Sequence, residues 1–187
     1  AILFRRLETN AENTLQIFEN ILRWIRTQLS GFIYQPLPCT PAGLIKEAMS
    51  TMKEEILEKQ VQIIVQVPAD LQVLADKEML QFVHRNLLHN AVKFSPASGT
   101  IAITAGIDRE MVTISIADEG RGISTDMLDY LFEYHPEHKG AKPSKGGAGL
   151  ALIICKDFMD KMGGTIVAEN RPDKGCSFSY TLPCSKN

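Results

Sequence analysis

Four cysteines among 187 residues, none in a C-x-x-C pair, remove the usual frameworks of a zinc ribbon, a dithiol redox motif or a disulfide-stapled secreted domain. Cys39, Cys155, Cys176 and Cys184 lie singly and far apart, as small core residues do, so reduced thiols in a cytoplasmic setting are expected. No apolar run approaches the roughly 18–20 residues that a membrane-spanning helix needs, and no cleavable leader is visible. The formal net charge of −2 offers no general attraction to nucleic acid or anionic lipid. The phosphate-binding pattern G-x-x-x-x-G-K-[ST] is absent and no G-x-G-x-x-G follows the first strand-like run, which excludes the P-loop and dinucleotide-binding readings. Internal repeats and low-complexity tracts are missing too. So is an initiator Met before Ala1, which gives the expectation of a piece of a longer protein. What is present, 44% hydrophobic and 22% charged residues, suits one ordinary globular domain with an extra element.

The extra element is N-terminal. Leu15, Phe18, Leu22, Ile25, Leu29 and Phe32 follow alternating three- and four-residue steps, a heptad seam, with polar residues on the other faces. A helix is predicted from near Asn10 to near Ser30, ending at Gly31, either packed on its own domain or, as so regular a seam favours, part of a bundle or dimer. The proline-rich stretch Tyr34–Pro41 then reads as a linker, which divides the chain into residues 1–33, 34–40 and 41–187. Beyond it the pattern is mixed. Helices are predicted over 41–59, from Asp76 to Phe94, over 124–132 and over about 149–162. Strands are predicted at 61–67, 71–74, 100–107, 111–117, 165–169 and 177–182. The aperiodic segment from Glu133 to Gly147, rich in Gly, Lys and His, is expected to form a lid.

Three clusters carry chemistry. Asn86, Asn90 and Lys93 are spaced i, i+4, i+7 and share one face of the 76–94 helix. An amide oxygen there suits magnesium, which keeps most of its shell as phosphate oxygens and water, and Lys93 is placed to meet phosphate charge. Asp118 ends an apolar strand and opens a turn containing Gly120 and Gly122; such a carboxylate can accept from the exocyclic amine of a base while the glycines let backbone approach the ring. Gly146, Gly147 and Gly149 open a helix whose bare N–H groups make a phosphate site. Each cluster alone has a plain reading: solvated asparagines, an Asx turn, a glycine-rich helix start. Together, in this order, they indicate an ATP site with Mg2+.

With these residues in view the chain resembles the ATP-binding domain of sensor histidine kinases, in the GHKL superfamily. Asn86-Leu-Leu-His-Asn90-Ala-Val-Lys-Phe94 is similar to that family's N box, Asp118-Glu-Gly-Arg-Gly122 to its first glycine box and Leu131-Phe132 to its F box. Gly147-Ala-Gly149-Leu-Ala-Leu152 is similar to the second glycine box and Gly175-Cys-Ser-Phe178 to the closing element, so the likeness covers about residues 41–183. The preceding helix resembles the second helix of the family's dimerisation and histidine-phosphotransfer hairpin. The resemblance implies an α+β fold, a two-layer α/β sandwich of the GHKL (Bergerat) type, with a mixed sheet covered on one face by helices and preceded by the long heptad helix. It implies that Asn90 holds magnesium, that Asn86 and Lys93 serve as the catalytic, phosphate-contacting pair, and that Asp118 reads the adenine amine. Gly120, Gly122, Gly147, Ala148, Gly149 and Leu150 would shape the pocket, with Lys145 beside the phosphates, Phe94 and Ile123 against the base, and residues 133–146 as the ATP lid.

The same resemblance implies a homodimer formed through the helical hairpin, relay of phosphate to a response-regulator receiver domain, and a place in the cytoplasmic portion of a membrane-anchored sensor. No nucleic-acid partner and no direct membrane contact are expected. The phosphoacceptor is missing: His84, His89, His135 and His138 all lie outside the N-terminal helix, so the acceptor belongs to an earlier helix and this chain alone is expected not to autophosphorylate. Two alternatives stay open. An ATP-hydrolysing switch of the gyrase and chaperone branches would carry Glu at Asn86 to orient water, which an amide cannot replace as a base. A degenerate module keeping only the fold is the other, given Ala151 where the second glycine box usually has Gly, His89 before the magnesium Asn, and a lid without its usual Thr.

Overall fold

Alternating apolar and polar residues in three neighbouring strands build the sheet on which the site is mounted. The computed structural model describes residues 34–133 and 148–185, with Phe18, Leu22 and Ile25 as helical positions before them. In chain order the elements are β1 (Leu37–Cys39), α1 (Pro41–Thr51), α2 (Lys53–Lys59), β2 (Gln62–Gln66), β3 (Val73–Ala75), α3 (Lys77–Phe94), β4 (Thr100–Asp108), β5 (Met111–Ala117), α4 (Thr125–Leu128), α5 (Ala148–Lys161), β6 (Thr165–Asn170) and β7 (Cys176–Pro183). Five strands form a mixed sheet in the order β2-β4-β5-β7-β6, parallel between β2 and β4 and antiparallel elsewhere. This is the two-layer arrangement that the sequence implies.

Because side chains alternate across a strand, one face collects Ile103, Ile116 and Phe178 on one rung and Ile114 and Tyr180 on another, all buried. The other face is half-exposed and polar; Ser115 and Ser179 share a hydrogen bond of 2.5 Å there. Helices α1, α3 and α5 cover the apolar face. Helix α3 packs against its neighbours and the sheet, and buries Met79, Leu80, Phe82, Val83, Leu87, Leu88, Ala91 and Val92. Phe82 meets Phe158 of α5 edge-on at 5.2 Å.

Both ends of α3 are fastened by side chains. Asp76 caps its start, with Oδ1 accepting from Glu78 N at 3.0 Å and Met79 N at 3.2 Å. The other oxygen of Asp76 accepts from Gln35 N at 3.3 Å, in the segment that leads into β1. At the far end the Lys59 ammonium donates to the carbonyls of Val92, Lys93 and Ser95 at 2.8, 2.6 and 3.1 Å, where the helix leaves oxygens unpaired.

Four elements differ from the sequence reading. The predicted 41–59 helix breaks at Met52, whose φ of −117° leaves the helical region while its side chain stays buried. The stretch read as a linker contains β1, paired antiparallel with β3, so two short strands form a separate small sheet. The strand predicted at 71–74 starts at Val73. The helix predicted over 124–132 is only Thr125–Leu128, because tight turns bring Phe132 round to meet Phe178 at 6.4 Å. Packing outweighs propensity there. Phe18, Leu22 and Ile25 are helical and exposed; the rest of the predicted Asn10–Ser30 helix lies outside the described residues.

Candidate functional site

Strand β5 delivers Asp118 to the edge of the core, and its register with β7, Ala117 opposite Ser177, sets Asp118 against Cys176. Asp118 N donates to Cys176 O at 2.9 Å. The Cys176 thiol donates to Asp118 Oδ2 at 3.1 Å, while Gly120 N donates to Oδ1 at 2.7 Å and closes the Asx turn. Burial and the hydrogen bond to Asp118 push the Cys176 thiol up to about 12, so it remains an S–H donor. Asp118 is 2% exposed, and no cation pairs with its carboxylate among the described residues. A thiol is a weak donor, so Oδ2 retains capacity for a stronger N–H from a ligand.

The turn after Asp118 is held from several sides. A Cβ at Gly120 would lie 2.6 Å from Phe94 O and 2.7 Å from Asp118 Oδ1. Gly122 has φ +73°, and Gly175, at φ +79°, lies so close to the Asp118 carbonyl that no side chain fits. Asn170 clamps the next residue reciprocally: its Oδ1 accepts from Ile123 N at 2.8 Å and its Nδ2 donates to Ile123 O at 2.6 Å. Arg171 Nη1 donates to Asp118 O at 2.9 Å. Beside the turn, Glu119 accepts from Thr100 N at 3.2 Å and pairs with Lys174 at 3.3 Å, contacts that hold its carboxyl below the usual range.

Helix α3 supplies the opposite wall. Asn90 is 6% exposed, and its amide makes no hydrogen bond to the described residues. Asn86, one turn earlier, donates from Nδ2 to Phe82 O at 2.8 Å on its own helix. His89 lies 3.9 Å from Glu55 of α2, and burial holds its imidazole below the usual range. Between the walls is a cavity of about 570 Å³, within the span of small-ligand sites. It brings together Asn90, Phe94, Asp118, Gly122 and Ile123 of the expected residues. Gly120 lies just behind the wall, bonded to Asp118.

Asn86, Lys93 and Leu150 do not line this cavity; Leu150 is half-buried against the core. Ala148 and Gly149 form the first turn of α5, while Lys145, Gly147 and residues 134–146 of the expected lid lie outside the described residues. The sequence reading missed Ser124 and Met127 as lining residues, and did not give a site role to Arg121, Leu131, Leu152, Cys176 or Phe178, which sit in boxes it had quoted. For Cys176 a signal existed: once the strands ending at Ala117 and starting near Ser177 are paired antiparallel, the residue before Ser177 must face Asp118.

Comparison with known proteins agrees with this geometry. The family model described as histidine kinase-, DNA gyrase B-, and HSP90-like ATPase matches residues 75–186. Among curated proteins, the adaptive-response sensory kinase SasA of Synechocystis sp. is 33% identical over 171 residues, covering 90% of this chain and 44% of SasA. The chain thus spans less than half the length of the curated relatives it matches. Among solved structures, the nucleotide-free catalytic domain of the histidine kinase ThkA superposes with a TM-score of 0.68 at 25% identity, covering 82% of this chain and 99% of that one. Full-length ShkA in complex with AMPPNP gives 0.74 at 27% identity, covering 93% of this chain and 36% of ShkA.

Proposed function

The chain belongs to the histidine kinase-, DNA gyrase B- and HSP90-like ATPase family, and from that premise we propose that it is the catalytic module of a two-component sensor kinase, binding Mg-ATP and passing the γ-phosphoryl to a histidine on an upstream helix. One observation carries the reading: among the described residues, a buried carboxylate oxygen served only by a thiol faces the same cavity as the Asn90 amide, which no described side chain or backbone group holds. An aminopurine with a bound cation satisfies both, since Asp118 accepts from the amino group and the Asn90 oxygen suits magnesium. Gly120 and Gly175 fit the same occupant, because a Cβ at either would disturb Asp118.

Asn86 and Lys93, next to the cavity on the same helix face, meet the phosphates, together with Lys145 and the N-terminal turn of α5 at Gly147, Ala148 and Gly149. Magnesium would neutralise phosphate charge, and the chain's own part is to position the donor, which is most of what phosphoryl transfer requires. Asn86 also argues against a hydrolase: an amide tied to Phe82 O offers no base to activate water. In the whole protein the module works as a homodimer joined through its helices, relays phosphate to a receiver domain, and sits on the cytoplasmic side of a membrane-anchored sensor.

Calorimetric titration with a non-hydrolysable ATP analogue tests the site. Binding that tightens with Mg2+ is expected; no binding at millimolar concentration would leave only the fold. With an upstream helix restored, ATP should label a histidine there, whereas brisk ATP turnover by the chain alone would overturn the kinase assignment in favour of a hydrolysing switch.

A further inference from the structure

Two cations share one aromatic ring at the rim of the cavity. Lys93 Nζ lies 5.6 Å and Arg121 Cζ 5.8 Å from the centroid of the Phe94 ring, and Phe94 is 40% exposed. Arg121 stands between Gly120 and Gly122, in the turn pinned by the Asp118 and Asn170 hydrogen bonds, so the root of its side chain is fixed. It lines the cavity and has no ion-pair partner among the described residues. The wall beside it is apolar, formed by Ile123 and Met127, whereas Lys93 does not line the cavity.

An arginine on an apolar wall, with no ion pair among the described residues, is suited to laying its planar, weakly hydrated guanidinium on a π-system; a lysine ammonium is not. We propose that Arg121 is a base-stacking residue: its guanidinium, held in place by the Phe94 ring, covers the outer face of the purine whose amino edge meets Asp118. The inference rests on the ATP-binding reading and adds to it a contact on the base rather than on the phosphates.

Affinity for AMP, by NMR titration, and for the ATP analogue, by calorimetry, separates the two kinds of contact. Arg121→Ala is expected to weaken both ligands by a similar factor, about five- to tenfold. Arg121→Lys, which keeps the charge and loses the plane, should recover only part of that loss. Both variants should unfold at the wild-type midpoint, since the side chain is exposed. A loss confined to the ATP analogue, or abolished by high salt, would make Arg121 a phosphate contact and overturn the proposal. Wild-type binding with Arg121→Ala unchanged within about twofold would overturn the stacking alone and leave the ATP reading intact. Failure of the wild type to bind either nucleotide would overturn both.

Discussion

Gly163 and Gly175 share a left-handed backbone, φ +72° and +79°, yet differ in what surrounds them. Open space surrounds Gly163; the Asp118 carbonyl presses on Gly175. Gly163→Ala should therefore cost only the conformational penalty, about 1 kcal/mol. Gly175→Ala adds a clash with the Asp118 turn and should cost about 3 kcal/mol and, on the proposed function, weaken nucleotide binding as well. Urea denaturation of the two variants, with analogue titration, checks the difference. His84 offers a pH test. It is fully buried on α3, its Nε2 lies 2.5 Å from the Tyr180 hydroxyl, and its Nδ1 has no partner among the described residues. Burial pushes this imidazole down to about 3 from an ordinary 6.5. Between those values the unfolded chain binds a proton that the folded chain refuses. Stability contributed by neutral His84 is complete above pH 6.5 and falls as pH drops towards 3, by up to about 1.4 kcal/mol per unit. Denaturation midpoints from pH 7.5 to 4.5 should show this slope, reduced in His84→Phe.

Lys59 holds the end of α3 through three carbonyl contacts. Lys59→Met keeps the stem and removes the ammonium, and should cost about 1–2 kcal/mol in chemical denaturation. It should also loosen Phe94, the last residue of that helix. Nothing local in the sequence announces this link, since Lys59 and Ser95 are 36 residues apart. The same distinction runs through the elements. The long helix to Phe94 was legible from its Asp76 cap and its apolar period, and β4, β5 and β7 from strict alternation. The break at Met52 was not, because the apolar spacing continues through it. The β1–β3 pairing joins two three-residue strands whose partner choice is tertiary. Likewise Asp118, Asn90 and the glycines stood out as short motifs, whereas Asn170 and Arg171 reach the turn from 47 and 53 residues away.

On the scale of the whole molecule, the exposed Phe18, Leu22 and Ile25 lie three and four residues apart on helical backbone, an apolar edge that suits a second helix. With the upstream helix present, sedimentation should give a dimer that Leu22→Glu converts to monomer, while analogue affinity stays unchanged because the cavity lies wholly within residues 90–178.

Asp76 ties these scales together. One of its oxygens starts the helix bearing Asn86 and Asn90, and the other grips Gln35, where the chain enters the domain. A single carboxylate thus serves as both latch and cornerstone. Any pull that draws the entering chain away from Gln35 acts directly on the foot of the helix that walls the cavity. In a sensor kinase of the kind proposed, that is a short mechanical path: tension applied at the doorway is delivered to the wall of the room.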